Sequence, residues 1–368
     1  MSRRLQIILG SALTALIVLT GVFFWLARTL PVLTVATWAG PYAHAQTKAM
    51  LIPYGSAKDY DVRIALYDGG LLELQQMVGN RRYDWDVMDF ELPDAITACR
   101  QGLLEHIDPA TLPAGADGAP AQKDFVKNAI GPCWVGSVVY SQVIAFAPHR
   151  FAGAQPRTAA DFFDLVRFPG PRALRRSSAK FNLELALLAD GMKPEDVYDA
   201  LLTPVGIDRA LTKLATLKGS LIWWNNSSEA VAMLQDGRAA FATVLNGDIY
   251  DAAQHKDPVG VIWDRQLYEL DVFGIPKGDP RLKAAMGFVR FATESQGLAG
   301  VASWVPYGPA RRSALPLVTR NPELGTDMIP FLPTASTHFA TAFAVDDEWW
   351  QLHGPDIEPR WQVWVAGQ

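Results

Sequence analysis

The sequence predicts an α/β fold of two hinged lobes joined by crossover strands. Three observations predict it. Strand-like and helix-like segments alternate from Val32 to Asp108, the pattern of a parallel sheet covered by helices on both faces. The apolar run that starts at Val135 is too long for one ordinary strand, and a β-rich return starts at Gly260, so the chain crosses out of one block and back. Apolar residues make up 49% and charged residues 19% of the 368, a globular composition with core enough for two domains.

The elements follow in order. "VLTVATW" (32–38) is a strand of β-branched residues, and "GPYAHAQTKAMLIPY" starts and continues a helix. "DVRIALY" is a second strand that runs into "DGG" at Asp68. "LLELQQMVGN" has helical spacing, "YDWDVMDFE" is a third strand ending in acids, and "LPDAITACRQGLLEHID" is a helix and turn. Further on, Thr158 and Asp161 have the spacing of a capping box before a helix. "RALRRSS" is a strand, several helices follow, and "AAFATVL" is a strand ending at Asn246-Gly247-Asp248. "DDEWWQLHGPDIEPRWQVWVAG" closes the chain with tryptophan-rich helices. Ligands in such sheets sit at the carboxyl ends of strands, here Trp38, Asp68, Glu91 and Asn246 to Asp248.

The N-terminus stands apart. Arg3 and Arg4 precede an uncharged apolar run over residues 5–27. That is either a cleaved export signal or an uncleaved membrane anchor, since the run is long enough to span a bilayer. Either way the body is exported, to the periplasm. The formal charge is −5, and the first 31 residues hold three arginines and no acids, so the remainder carries −8. A mildly acidic body argues against nucleic acid and leans toward cationic ligands. The two cysteines, Cys99 and Cys133, suggest one disulfide in an oxidising compartment; two buried free thiols are the alternative.

Catalytic motifs are missing. No P-loop, nucleophile elbow or zinc-binding helix motif occurs, and the six histidines are scattered, so neither metal nor cofactor is expected. The carboxylates at strand ends leave a hydrolase with paired acids, Glu91 and Asp248, as an alternative. A membrane-tethered amine-sensing domain is another. An exported two-lobe chain without such motifs favours binding over turnover.

Eight segments then carry a resemblance, in order along the chain: "TVATWAGPY", "YDGGLLELQQMVGNRRYDWDVMDFE", "ACRQGLLEHID", "GPCWVGSVVYS", "TAADFFDLVRFPGPRAL", "WWNNSSEAVAMLQDGRAAFATVLNGD", "LDVFGIPKG" and "WVPYGPARRSALP". Residues 32–367 resemble the periplasmic solute-binding proteins of ABC importers, in the spermidine/putrescine branch. The resemblance implies a type II periplasmic-binding-protein fold, a monomer that closes on its ligand and docks on ABC permease subunits in the inner membrane. It implies the division 1–30 (signal or anchor), 32–141 with 264–335 (first lobe), 142–263 (second lobe) and 336–368 (C-terminal helices packing on the lobes). It also supports the Cys99–Cys133 pairing.

The implied ligand is a small cationic amine, polyamine-like, held between aromatic faces with carboxylates at its ammonium ends. An indole face attracts an ammonium by about 0.5–2 kcal/mol, and a carboxylate adds a charge-assisted hydrogen bond. The ligand set is Trp38, Asp68, Glu91, Trp223, Trp224, Asn246, Asp248, Tyr268, Asp271 and Tyr307. Two departures qualify the long polyamine. Arg175, Arg176, Ser177, Ser178 and Asn182 stand where spermidine binders carry a pair of acids, and Leu245 stands where an indole often precedes Asn-Gly. A shorter amine, or an amino-acid-like zwitterion with its carboxylate on an arginine, fits those positions as well.

Overall fold

Ten strands form one mixed sheet in a computed structural model that describes residues 30–254 and 259–367. The predicted export or anchor run lies outside the described residues. The strands are β1 (Val32–Thr37), β2 (Asp61–Leu66), β3 (Val87–Glu91), β4 (Val135–Phe146), β5 (Arg172–Arg175), β6 (Leu221–Trp224), β7 (Phe241–Leu245), β8 (Gly260–Gly274), β9 (Gly308–Pro309) and β10 (Phe343–Ala344). Their order is β2-β1-β3-β8-β4-β7-β5-β6, with β10 on β8 and β9 on β4. The flanks, β2-β1-β3 and β7-β5-β6, are parallel, as the β-α alternation predicts. The centre is antiparallel, because β4 leaves one flank and β8 returns to it. This is the α/β architecture of two blocks joined by crossover strands.

The length of the two central strands follows from their burial. All but one residue of β4 are buried, and the last nine residues of β8 are too. Each strand serves two cores. One core gathers Leu33, Val35, Phe90, Val138, Phe273 and Phe288 around the first flank. A second gathers Phe162, Phe168, Leu174, Phe241, Trp350 and Trp361 around the other, and a smaller third holds Val143, Trp224, Val231 and Val244.

Local chemistry sets the turns that frame the space between the blocks. β1 stops at Gly40, whose φ of 81° suits glycine, and Pro41 opens the helix Pro41–Gln46. That helix continues through a π segment, Thr47–Leu51, into Ile52–Lys58. β3 ends at Glu91, which is extended (φ −62°, ψ 142°) and sits at the start of the helix Leu92–Arg100. Thr158 and Asp161 do form a capping box, on a 3₁₀ turn, Ala159–Phe163. The closing stretch is a single helix, Asp347–Ala366, that contains Pro355 and Pro359. Among the described residues no helix is long and apolar enough to cross a membrane.

Cys99 and Cys133 are bonded, with an S–S distance of 2.02 Å. The bond ties the helix after β3 to the segment that enters β4, so it braces the first block where the crossover begins. Its span of 34 residues corresponds to about 4 kcal/mol of loop-closure entropy. The double variant Cys99→Ser/Cys133→Ser should therefore unfold at lower urea, losing up to about 4 kcal/mol by linear extrapolation; unchanged stability would show that the bond does not restrain the unfolded chain.

Candidate functional site

A cavity of about 330 Å³ opens between the blocks at the carboxyl ends of β1 and β3 and the start of the helix Asn246–Gln254. Its acidic side chains are Glu91, Asp248, Asp251 and Asp271; its rings are Trp38, Tyr42, Tyr140 and Tyr307. A second chamber of about 560 Å³ adjoins it through Glu91, Tyr140 and Leu245, and carries Arg175, Lys180, Trp224 and Glu269.

β-strand alternation builds the floor. Glu91 on β3 lies directly opposite Asp271 on β8, and Glu269 lies opposite Tyr140 on β4. Side chains two apart share a face, so Glu269 and Asp271 face the cleft together. Tyr268 falls on the other face. Its ring packs on Phe339, 4.9 Å between centroids, and it does not line either chamber.

The same parity separates the two adjacent tryptophans of β6. Trp223 packs edge-on against Trp361 and Trp364, at 6.0 and 6.3 Å, on the side of the C-terminal helix. Trp224 faces the third core, 3% exposed, and edges the second chamber. Only one of two neighbours on a strand can face a given side, so the paired indoles do not line the cleft together.

"YDGG" also works differently from the expected ligand contact. Asp68 is exposed and outside both chambers. The glycines seat the neighbouring indole instead: a Cβ on Gly69 would stand 3.2 Å from the Trp38 ring, and Gly69 has φ of 92°. Gly70 donates its backbone N–H to Asp94, 2.9 Å, and Tyr67 Oη donates to the Gly70 carbonyl. Trp38, 5.4 Å from the Tyr67 ring, is thereby held at the cavity wall.

At the far wall Asn246 is a brace. Its Oδ1 accepts from the Ser141 backbone N–H at 2.9 Å and its Nδ2 donates to the Pro306 carbonyl at 2.6 Å, both buried. It joins the crossover strand β4 to the loop that carries Tyr307. Gly247 lets that tyrosine approach: a Cβ there would meet its hydroxyl at 3.3 Å. Asp248 faces the cavity and accepts a hydrogen bond from Ser227 Oγ.

The electrostatics are one-sided. Asp271 is 8% exposed, and among the described residues no donor or cation reaches its carboxylate. Burial, then the charges of Asp89, Glu91 and Glu269, push it well above the usual carboxylate range. Burial also raises Glu91, as do Glu269 and Asp94, against the pull of Lys180 and Arg175. Asp248 is raised by burial, with the Ser227 bond opposing. Burial and the acids Asp271, Asp248 and Asp251 push the Tyr307 phenol up to about 12, so it stays protonated as a donor. Glu91 starts a helix but makes no capping bond, so its carboxylate is not consumed locally.

In the second chamber a lysine is already paired. Lys180 Nζ bonds Glu269 and, at 2.7 Å, Asp347. Burial alone would lower this lysine, but the two acids outweigh it and keep it charged. Arg175 lines the chamber, bonds the Ser177 hydroxyl at 3.0 Å, and makes no ion pair among the described residues; Arg176 lies outside.

Of the expected set, Trp38, Glu91, Asp248, Asp271 and Tyr307 meet in one cavity, and Trp224 edges its neighbour. Sequence reasoning missed Tyr42, Tyr140, Asp251 and Glu269. Tyr140 carried a signal: it sits mid-way along a strand long enough to cross between blocks. Among the described residues no cluster of His, Cys, Asp and Glu is arranged to hold a metal ion.

The chain belongs to the bacterial extracellular solute-binding protein family, whose model matches residues 49–326. Members are the solute receptors of ABC importers and deliver small ligands to permeases; they are not enzymes. The gamma-aminobutyric acid-binding protein of Pseudomonas aeruginosa is 34% identical over 334 residues, 91% of each chain. Among solved structures, the Atu4243-GABA receptor is 28% identical with a TM-score of 0.71, over 91% of this chain and 98% of that one. AgtB from A. tumefaciens R10, in complex with agropinic acid, is 26% identical with a TM-score of 0.64, over 92% of this chain and all of that one (100%).

Two variants separate frame from contact. Asn246→Ala strands a buried N–H and a buried carbonyl and should lower stability by about 1–3 kcal/mol in chemical denaturation. Trp223→Ala should cost up to about 3 kcal/mol yet leave ligand affinity unchanged in the folded protein. Lost affinity at full stability would place that indole in the site.

Proposed function

We propose that the chain captures a small amino-acid-like amine, of the size of gamma-aminobutyrate, in the cleft between its blocks and presents it to a membrane permease. The ammonium end lies in the acidic first chamber between Trp38, Tyr42, Tyr140 and Tyr307, against Asp271, Glu91 and Asp248. The carboxylate end reaches Arg175 in the second chamber. The observation that carries this reading is the division of charge: four carboxylates line the first chamber, and the second holds an arginine without an ion-pair partner among the described residues. The names of the two GABA-binding relatives support it.

Binding energy comes from contacts made by both blocks. Glu91 and Trp38 belong to the first, Asp248 and Arg175 to the second, and Asp271 to the strand between them. A ligand that touches all three favours the closed arrangement of the hinge by its differential affinity for it. A polyamine is the second reading, favoured by Glu91 and Glu269 at the second chamber. Against it, Lys180 already neutralises Glu269, and Arg175 repels a second ammonium. The N-terminal run of residues 5–27 exports the body and, if uncleaved, tethers it beside the permease.

Calorimetry with GABA, putrescine and spermidine tests the assignment. GABA is expected to bind with micromolar or tighter affinity. Trp38→Ala or Glu91→Ala should each weaken it at least tenfold, about 1.4 kcal/mol. Arg175→Gln should weaken GABA by a similar factor and leave or improve polyamine binding. A chain that binds spermidine and ignores GABA, with Arg175→Gln silent, would replace the first reading with the second. Silence toward every amine would remove both.

A further inference from the structure

The established family role explains a cleft that binds, and leaves unexplained a further acid beneath its floor. Asp89 is completely buried on β3 and lines neither chamber. Four donors surround it: Tyr42 Oη at 2.7 Å, Gln46 Nε2 at 2.5 Å, Ser137 Oγ at 2.9 Å and Thr37 Oγ1 at 3.5 Å. No cation pairs with it among the described residues. It is two residues before Glu91 on the same strand face, hence diagonal to Asp271 across the β3–β8 ladder. Diagonal neighbours on a sheet lie about 7–8 Å apart.

Two acids so placed, both out of water, cannot both hold charge cheaply. The hydrogen bonds decide between them. Asp89 has four donors to spread a negative charge over; Asp271 has none among the described residues. Burial raises Asp89 to about 6, with the bonds from Tyr42, Ser137, Gln46 and Thr37 opposing; burial and the charges of Asp89, Glu91 and Glu269 raise Asp271 well above the usual carboxylate range, with no such bonds opposing among the described residues. The groups around Asp271 do not change the sign. Asp89 and Glu91 face it from β3, Glu269 from its own strand, Tyr140 from β4 and Tyr42 from the first helix. Tyr307, Asp248 and Asp251 face it from the far wall. All are acids or phenols. The cations Lys180 and Arg175 lie in the other chamber.

We propose that Asp89 is a positioning residue that keeps a proton on Asp271 in the empty cleft, so that capture of an ammonium expels that proton to solvent. The exchange balances: a carboxyl O–H on Asp271 is lost, a carboxylate–ammonium pair forms, and the proton goes to the buffer. The cleft thereby avoids a bare buried charge when empty and still presents a full charge to a cation. A neutral ligand of the same shape cannot drive the exchange, which makes the site selective for charge as well as for size. This inference rests on the amine reading of the cleft.

The test is calorimetry of GABA, with putrescine in parallel, in buffers of low and high ionisation enthalpy between about pH 6 and 8. Neither ligand titrates appreciably in that window. Observed heat should depend on the buffer, with about half to one proton released per ligand near neutrality, and affinity should rise with pH by up to about tenfold per unit. Asp271→Asn should abolish the release and weaken binding at least tenfold. Glu91→Gln should weaken binding but keep the release. Asp89→Asn removes the neighbouring charge, so release near neutrality should shrink and the affinity profile should move to lower pH. A merely structural Asp89 would instead lower affinity by the same factor at every pH, and that result overturns the role given to it. Buffer-independent heat from the wild-type protein overturns the proton exchange while leaving amine binding in place. No heat from either ligand overturns the amine reading and the exchange together.

Discussion

The antiparallel pairing of β4 with β8 is the constraint on which the site depends. Both strands run through both cores, so they are the pieces of chain fixed with respect to each block. Their side chains alternate strictly, and the register sets which ones meet the cleft. Asp271 opposite Glu91, and Glu269 opposite Tyr140, form a row across the sheet where the blocks part. A slip of one residue would turn the row inward and bring Tyr268 and Leu270 to the cleft. The bracing of this strand pair is correspondingly dense. Asn246 pins β4 at Ser141, β10 adds a third strand beside β8, and the disulfide holds the segment entering β4.

The cleft then concentrates acids, and among the described residues no cation pairs with Asp271. Burying a carboxylate without a partner costs several kcal/mol, and a fold under no functional pressure would replace Asp271 with an apolar side chain. The second chamber shows the alternative treatment of the same problem. There Glu269 meets Lys180, and the lysine is shared with Asp347 at the start of the C-terminal helix. In the second chamber Glu269 is paired and Arg175 is not, whereas in the first the buried Asp271 meets no cation among the described residues.

The C-terminal helix links the blocks a second time. Trp350, Ile357 and Trp361 anchor it in the second core, and Glu358 accepts from Ser178 Oγ and the Ala179 N–H. Its first turns reach the other block, where Glu348 pairs with Arg100 and Gln351 donates to the Pro93 carbonyl at 2.6 Å. Both partners lie on the helix that Glu91 starts. These contacts join the C-terminal helix to the element that begins at the cavity acid Glu91.

The order of elements, the two-block architecture and the crossing strands were legible in the sequence, because they follow from periodicity and run length. So were Trp38 and Glu91, since a strand's carboxyl end is a place that local pattern can locate. Asp248 was legible for the same reason. Facing was not. Trp223 and Trp224 differ by one position and point to opposite sides, Tyr268 turns away while Glu269 and Asp271 face in, and Asp68 stays outside while its glycines seat Trp38. Strand phase depends on which partner pairs at which register, and β8 pairs with β4 and β3 across more than a hundred residues of sequence, from Phe146 with Gly260 to Met88 with Gly274. Local sequence carries the two-residue period but not its phase against a distant strand. Only the tertiary structure decided that Asp89 would lie beneath Asp271, because that proximity is made by the sheet and by nothing nearer in the chain.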